Sequence, residues 1–414
     1  MISWANRAPW RRAVNARTTL LLCAAAALLE GFDNQSMGVV APRVVAEFAL
    51  SPGWAGVVFS SATFGLFVGA ALGGRVADYF GRKRALVVSL FLFGVFSLLT
   101  ALATGAESLA LARLLTGLGL GGAMPNFISL ASEAAHADRR VSAVTLVMAG
   151  MPFGGTLAAV MSLGAQFGMS WRAVFVAGGA TPVLLALLMV YLLPESRHPA
   201  GAGAHAGAAR AAAVEPVRAV LFGSDRALTT LLLWAAFFFT QLVLLLMLNW
   251  LPSLVIGLGF SRTEASLASV CFGLSGSIGA VVLGHLHAGS RRRAWVAATY
   301  SGMAAALVTV AAVGGTFWMI AIACGFAGIF IIGAQLILFA LAPLYYHSAI
   351  RGTGVGAAVA IGRLGSVVGP LFAGGLLASG GGSASVLLAI VPFVALGGGA
   401  AFALTWRSQS GAAI

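Results

Sequence analysis

The chain has 414 residues, 60% hydrophobic and only 8% charged. Soluble domains carry about a quarter charged residues, so an ordinary soluble protein is excluded and a polytopic membrane protein indicated. A net charge of +13 would suggest nucleic acid in a soluble domain, but in a membrane chain basic residues first report topology.

The N-terminal segment carries Arg7, Arg11, Arg12 and Arg17 ahead of an apolar run at 20–29, the order also found in signal peptides. Glu30 and Asp33 interrupt that run and apolar sequence resumes at Met37, which suits a first span at 17–41. Further spans are predicted at 54–75, 85–104, 108–132, 141–165 and 172–193. After a small-residue stretch at 194–226 they resume at 228–251, 263–286, 294–313, 316–342, 352–378 and 384–405. The expected fold is therefore an all-α membrane protein with twelve transmembrane helices in two pseudo-symmetric six-helix bundles. The bundles are 1–193 and 227–414, and 194–226 forms a cytoplasmic linker.

With a cytoplasmic N-terminus, 19 of the 24 Lys and Arg residues fall in inside segments. Arg43, Arg172 and Arg262 fall outside, while Arg113 and Arg363 fall within spans. This bias places both termini in the cytoplasm and removes nucleic acid as a partner. Matched glycines at an offset of 211, Gly65 with Gly276, Gly73 with Gly284, Gly117 with Gly328 and Gly122 with Gly333, superpose the two sets of spans, as does Arg140 with Arg351. Parallel halves with a substrate site near the midplane are implied. Small residues four apart, such as Gly65, Gly69 and Gly73, have a packing role as well. Cys23, Cys271 and Cys324 lie far apart in apolar runs and read as small hydrophobes, not as a disulfide or zinc set.

Charges within spans are functional candidates, because each is costly unless paired or hydrated. Glu30, Asp33, Asn34 and Met37 follow helical spacing and share one face, expected to line a wet cavity. Two neighbouring acids in a low dielectric repel, and binding a proton relieves that repulsion, so Glu30 and Asp33 form a candidate proton site. Arg113 lies at a compatible depth and is the expected partner of the acids. The rival is a static ion pair that braces the bundle. Arg363, roughly 16 Å into its helix with no acid in its own span, suits a ligand carboxylate, since a guanidinium offers two parallel donors. Pairing with Glu30 or Asp33 is its structural rival. Gln241, Asn249 and Gln335 are polar groups in apolar spans that can bond substrate or a neighbouring helix. Tyr345, Tyr346 and His347 read as interfacial anchors, and His285 with His287 is poor evidence for metal.

The loop after the second predicted helix reads Gly74-Arg75-Val76-Ala77-Asp78-Tyr79-Phe80-Gly81-Arg82-Lys83-Arg84. It resembles the loop signature of the major facilitator superfamily, G-x-x-x-D-x-x-G-R-K-R. In that superfamily the motif is taken to latch the two halves, which implies a conformational gate at Gly74, Asp78, Gly81, Arg82 and Lys83. The second-half counterpart, Gly284 to Gly289 followed by Arg291, Arg292 and Arg293, has Ala288 where the acid would stand. Arg113-x-x-x-Gly117 resembles the fourth-helix motif linked to proton coupling, and Pro194-Glu195-Ser196 resembles a common ending of the sixth helix. Glu30-Gly31-Phe32-Asp33 resembles the first-helix motif of the aromatic acid:proton symporters. The Glu form, with Asn249-Trp250-Leu251-Pro252, Arg351-Gly352-Thr353-Gly354-Val355-Gly356 and Gly362-Arg363-Leu364-Gly365, is similar to the 3-hydroxyphenylpropionate transporters of that branch.

The resemblance implies the major facilitator fold and import of a small aromatic carboxylate, 3-(3-hydroxyphenyl)propionate or a related phenylpropionate or hydroxybenzoate, by proton symport. Glu30, Asp33 and Arg113 would couple the proton, and Arg363, Arg113, Glu30, Gln241, Asn249 and Gln335 would bind substrate. The proton gradient would supply the driving force without a cofactor or metal, in a monomer in a bacterial inner membrane. The alternative is a proton antiporter exporting aromatic or drug-like compounds. Against it, Gly150-Met151-Pro152-Phe153-Gly154-Gly155 approaches the drug-antiporter motif with its proline one position late. A membrane enzyme is disfavoured because the sequence holds no metal-spaced set, nucleophile elbow or phosphate loop. A sensor that binds the acid without transporting it is disfavoured by the short tails.

Overall fold

Backbone N–H and C=O groups inside a bilayer have no water to bond, so the chain must satisfy them within each segment. In the computed structural model, which describes residues 9–135, 140–148, 150–193, 221–223, 226–287, 291–313, 315–346 and 351–407, all regular elements among the described residues are helices. They are α1 (Pro9–Glu47), α2 (Pro52–Phe80), α3 (Arg82–Ala101), α4 (Ala106–Ala134), α5 (Arg140–Met148), α6 (Gly150–Ser162), α7 (Arg172–Leu192), α8 (Arg226–Gly257), α9 (Arg262–His287), α10 (Arg292–Ala312), α11 (Phe317–Leu341), α12 (Arg351–Ala378), α13 (Ser383–Ala389) and α14 (Val391–Arg407). Of the linker predicted at 194–226, residues 194–220, 224 and 225 lie outside the described residues.

With α5 and α6 serving one span and α13 and α14 another, these are the twelve expected. Nine stretches of the described helices are long and apolar enough to cross a membrane. The last span is continuous in the sequence reading but divides at Ile390 in the structure. The division falls just before Pro392, which lacks an N–H to continue the ladder and sits in the first turn of α14, where none is needed. At the start of α9, Ser261 and Glu264 form a capping box: the Ser261 N–H donates to Glu264 Oε2 at 2.8 Å, and the Glu264 N–H donates to Ser261 Oγ at 3.2 Å. Tyr346, expected as an interfacial anchor, is instead buried. Thr230 donates its hydroxyl proton to the Leu221 carbonyl at 2.7 Å, which leaves the Tyr346 hydroxyl to donate to Thr230 at 3.0 Å.

The chain divides into two compact units, residues 1–50 with 61–197 and residues 51–60 with 198–414. In the first, α3 packs between α4 and α7, and α1 lies along α6. Leu86, Leu90 and Phe93 of α3 meet Leu120 and Phe127 of α4 and Met189 of α7 in its core. In the second, α9 packs on α11 and α8 on α12.

The repeat of 211 residues has a physical basis in these contacts. A methyl group on Gly117 would overlap the Ala62 carbonyl oxygen, and one on Gly65 would overlap the Leu114 carbonyl, so α2 and α4 touch backbone to backbone. In the second unit a methyl on Gly328 would overlap the Phe272 carbonyl, and one on Gly276 would strike Ile332. The same two spans of each unit thus cross at the same glycines.

Where the chain emerges on the face predicted to be external, the end of α1 is tied to the start of α7. Trp171 Nε1 donates to Glu47 Oε2 at 2.6 Å, and Arg172 pairs with Glu47 Oε1 at 2.6 Å while lying 4.6 Å over the Trp171 ring. The indole and guanidinium hydrogen bonds hold the Glu47 carboxyl below the usual carboxylate range.

Two outcomes are expected. Gly117→Val or Gly328→Val should sharply reduce the yield of monodisperse protein on size exclusion, because an overpacked backbone contact costs about 1–3 kcal/mol or more. Gly399→Ala, a helical position with open space around it, should be neutral or mildly stabilising. Because the Glu47 carboxyl is more acidic folded than unfolded, its clamp contributes stability above the ordinary glutamate value of about 4.3 and loses it as pH falls through the folded value. The melting temperature of the parent should therefore fall more steeply than that of Glu47→Gln as pH is lowered from about 5 to 3. Parallel pH profiles would refute the clamp.

Candidate functional site

Two faces of α1 do different work. Ala24, Leu28, Gly31 and Gln35 form the stripe that receives α6. A methyl on Gly31 would overlap the Met151 carbonyl, one on Gly154 the Leu28 carbonyl, and one on Gly155 the Gln35 side chain. Glu30, Asp33 and Met37 lie roughly 160° round the helix from that stripe. Seating α6 on the glycine side therefore turns the acids the other way, and there α4 supplies Arg113.

The meeting of Asp33 and Arg113 is bidentate. Nη1 donates to Oδ1 at 2.8 Å and Nη2 to Oδ2 at 2.9 Å, two parallel charge-assisted bonds. Asp33 is 1% exposed and Arg113 2%. The guanidinium carbon stands 5.4 Å from the centroid of Phe175 on α7, so an aromatic face adds to its stabilisation. Glu30, one turn from Asp33 on the same face, is 1% exposed. Asn34 is half-buried and Met37 buried. This face, expected to line a cavity, is enclosed here: Glu30, Asp33 and Met37 are buried, and the Arg113 fork covers both Asp33 oxygens. Arg113 was expected both to couple the proton and to touch substrate; here its Nη1 and Nη2 fork is closed on Asp33, while its Nε has no partner among the described residues.

The second unit holds the other candidates. α12 lies on α8 along a glycine seam: Gly365 and Gly369 would clash with the Phe238 and Leu242 carbonyls if they carried methyls, and a methyl on Gly362 would stand 3.3 Å from Gln241 Cγ. Arg363, next in sequence to that contact, is half-buried, less enclosed than its predicted depth suggested. Gln241 and Gln335 are buried on α8 and α11. Asn249 lies two turns along α8 from Gln241 and donates one of its two amide N–H groups to its own helix, at the Leu245 carbonyl, 2.8 Å.

The loop motif forms a tight corner in the first unit. Gly81 alone separates α2 from α3, with φ 91°, a left-handed value that glycine adopts without steric cost. Arg82 forms an ion pair with Glu133 at the end of α4, and Lys83 Nζ donates to the Val190 carbonyl of α7 at 2.9 Å. These basic residues brace the first unit internally. Gly74 and Asp78 lie within α2, and the surroundings of Gly74 and the side chain of Asp78 are outside what the structure describes.

Phe175 was missed by sequence reasoning, being one of 26 phenylalanines with no local signal. The α6 glycine stripe was legible in part, since Gly150 and Gly154 stand four apart. Among the described residues no group of three His, Cys, Asp or Glu side chains could hold a metal ion.

Removing one partner of a buried pair strands the other charge, at about 3–5 kcal/mol. Arg113→Leu should therefore destabilise strongly in thermal or denaturant melts, and adding Asp33→Leu should restore much of the loss. A double variant as unstable as the sum of the two single variants would show that the pair does not act as a unit.

The chain matches the family model of the Major Facilitator Superfamily over residues 23–370. It is 42% identical to the 3-(3-hydroxy-phenyl)propionate transporter of Escherichia coli (strain K12), with 97% of each chain covered. It is 32% identical to the gallate transporter of Pseudomonas putida, covering 87% of this chain and 85% of the relative. Among solved structures it is similar, at a TM-score of 0.76 and 19% identity over 98% of this chain and 99% of the other, to a bacterial homolog of the human lysosomal transporter Spinster in an inward-facing, unoccupied conformation. The chain is a multi-pass membrane protein with the major facilitator fold, and it belongs to the Major Facilitator Superfamily.

Proposed function

We propose that the protein imports a small aromatic carboxylate, 3-(3-hydroxyphenyl)propionate or a related phenylpropionate or hydroxybenzoate, by proton symport with alternating access. The observation that carries this reading is the buried bidentate pair of Asp33 and Arg113 with Glu30 one turn away. The names of its relatives support the class of substrate.

The pair works as a latch that a proton can open. While Asp33 is ionised, its two oxygens occupy the Arg113 fork. A proton on Asp33 cancels its charge and removes one acceptor, which frees the guanidinium to adopt a second arrangement. Glu30 on the same face is the second proton-binding group. Arg363 is assigned the substrate carboxylate, as a half-buried guanidinium on α12 next to the seam with Gln241. Asp78, Gly81, Arg82 and Lys83 are assigned to the conformational cycle. The protein works as a monomer in a bacterial inner membrane with both termini in the cytoplasm, driven by the proton gradient without a resident cofactor.

Proteoliposomes with an acidic exterior should accumulate benzoates, phenylpropionates or cinnamates from a panel of acids, and collapse of the gradient should end accumulation. Asp33→Asn should lose at least about tenfold in accumulation while retaining substrate exchange, because exchange needs no net proton movement. Accumulation undiminished in both Asp33→Asn and Glu30→Gln would overturn the proton assignment. Uphill movement only of substrate loaded inside would favour the antiporter.

A further inference from the structure

Two carboxamides in the second unit are buried without hydrogen-bond partners for their open atoms. Gln335 on α11 is 5% exposed, and neither its Oε1 nor its Nε2 has a partner among the described residues. Gln241 on α8 is 7% exposed, and its Oε1 has none. Buried polar groups are nearly always paired, so two exceptions on adjoining helices call for an explanation.

The helices bring the two amides to one level. α8 and α11 are the seventh and tenth spans, so they run antiparallel, and they pack on one another. Phe237 of α8 meets Phe339 of α11 edge to face, with centroids 5.4 Å apart. Gln241 follows Phe237 by four residues and Gln335 precedes Phe339 by four. Antiparallel running therefore carries both amides one turn, about 6 Å, in the same direction from the ring pair and onto the same faces. Gln241 also lies against Gly362, the residue before Arg363.

The open atoms select the ligand chemistry. Two amide oxygens need donors, and a carboxylate has none to give. A phenolic hydroxyl has one proton to donate and lone pairs to accept, so it can donate to one of the two oxygens while accepting from the Gln335 amide nitrogen, and Gln335 offers an acceptor and a donor whichever way its amide is turned. The geometry points to Gln335 and Gln241 as the pair that reads a hydroxyl on the ring of the transported acid and so sets preference for hydroxylated over unsubstituted substrates. This rests on the aromatic-acid reading above, in which Arg363 takes the carboxylate and leaves the amides for the ring.

Titration calorimetry of the full chain in lipid nanodiscs tests it with 3-(3-hydroxyphenyl)propionate, 3-phenylpropionate and 3-(3-methoxyphenyl)propionate. The parent should bind the hydroxy acid at least about tenfold more tightly than the other two, since neither can donate from the ring. Gln335→Leu and Gln241→Leu should each weaken the hydroxy acid by about tenfold and leave 3-phenylpropionate within about threefold. Equal affinity of the parent for hydroxy and methoxy acids would overturn the inference without recourse to any variant. So would a hydroxyl preference that survives in both variants. If the folded parent binds none of the three, nor 3-hydroxybenzoate, the aromatic-acid reading itself fails and takes this inference with it.

Discussion

Helices immersed in lipid gain little hydrophobic free energy by touching one another, so their positions depend on how closely backbones can approach. In this protein glycine sets that approach, and the placement of the buried charges Glu30, Asp33 and Arg113 follows from it. Gly31 and Gly154 seat α1 on α6, and the acids end on the far side of α1. Gly65 and Gly117 seat α4 on α2. Arg113, one turn before Gly117, is thereby held at a fixed level on a helix that cannot slide. A bidentate pair with both bonds near 2.9 Å requires registration of that quality.

The consequence is a pair poised between two costs. Sealed together, Asp33 and Arg113 offset much of each other's desolvation. Separated and both charged, they would strand two ions in a dry interior at several kcal/mol each. The arrangement can therefore open when one charge is neutralised, hydrated or offered a replacement partner. Phe175 beside the guanidinium stabilises Arg113 without competing for its donors. A static brace would need none of this chemistry, since apolar residues of similar volume are often as stable.

The fold was legible because its signals are long and redundant: twelve apolar runs, a basic bias on one side and glycines that recur at one offset. The Asp33–Arg113 pair was legible because charges are rare in spans and depth along a helix is countable. What was not legible depended on a third helix or on the local backbone. Nothing in the neighbourhood of Phe175 distinguishes it from other apolar residues, and only packing brings it to Arg113. Tyr346 sits at a predicted membrane edge and reads as an anchor, yet Thr230, more than a hundred residues away, draws it inward. The break at Ile390 was visible in Pro392 but hidden by the apolar run around it.

The repeat shows how the chemistry was divided between the units. At the offset that matches the packing glycines, Glu30 corresponds to Gln241, Asp33 to Leu244 and Arg113 to Cys324. The whole charged triad of the first unit is thus neutral in the second. In the other direction, Gln335 corresponds to Met124 and Arg363 to Pro152, so these two polar groups of the second unit have apolar counterparts in the first. The crossing glycines recur while most of these buried polar positions do not, because the two are under different constraints: a glycine at a crossing has no substitute, whereas a polar group is costly wherever it has no task. Carboxylate and carboxamide have nearly the same shape, but only the carboxylate changes charge with a proton. Gln241 in place of an acid keeps its donors and its acceptor whatever the pH. In the proposed symport cycle, proton-dependent chemistry is thereby concentrated in the first unit, and the amides assigned to the ring hydroxyl would present the same groups before and after the proton has moved.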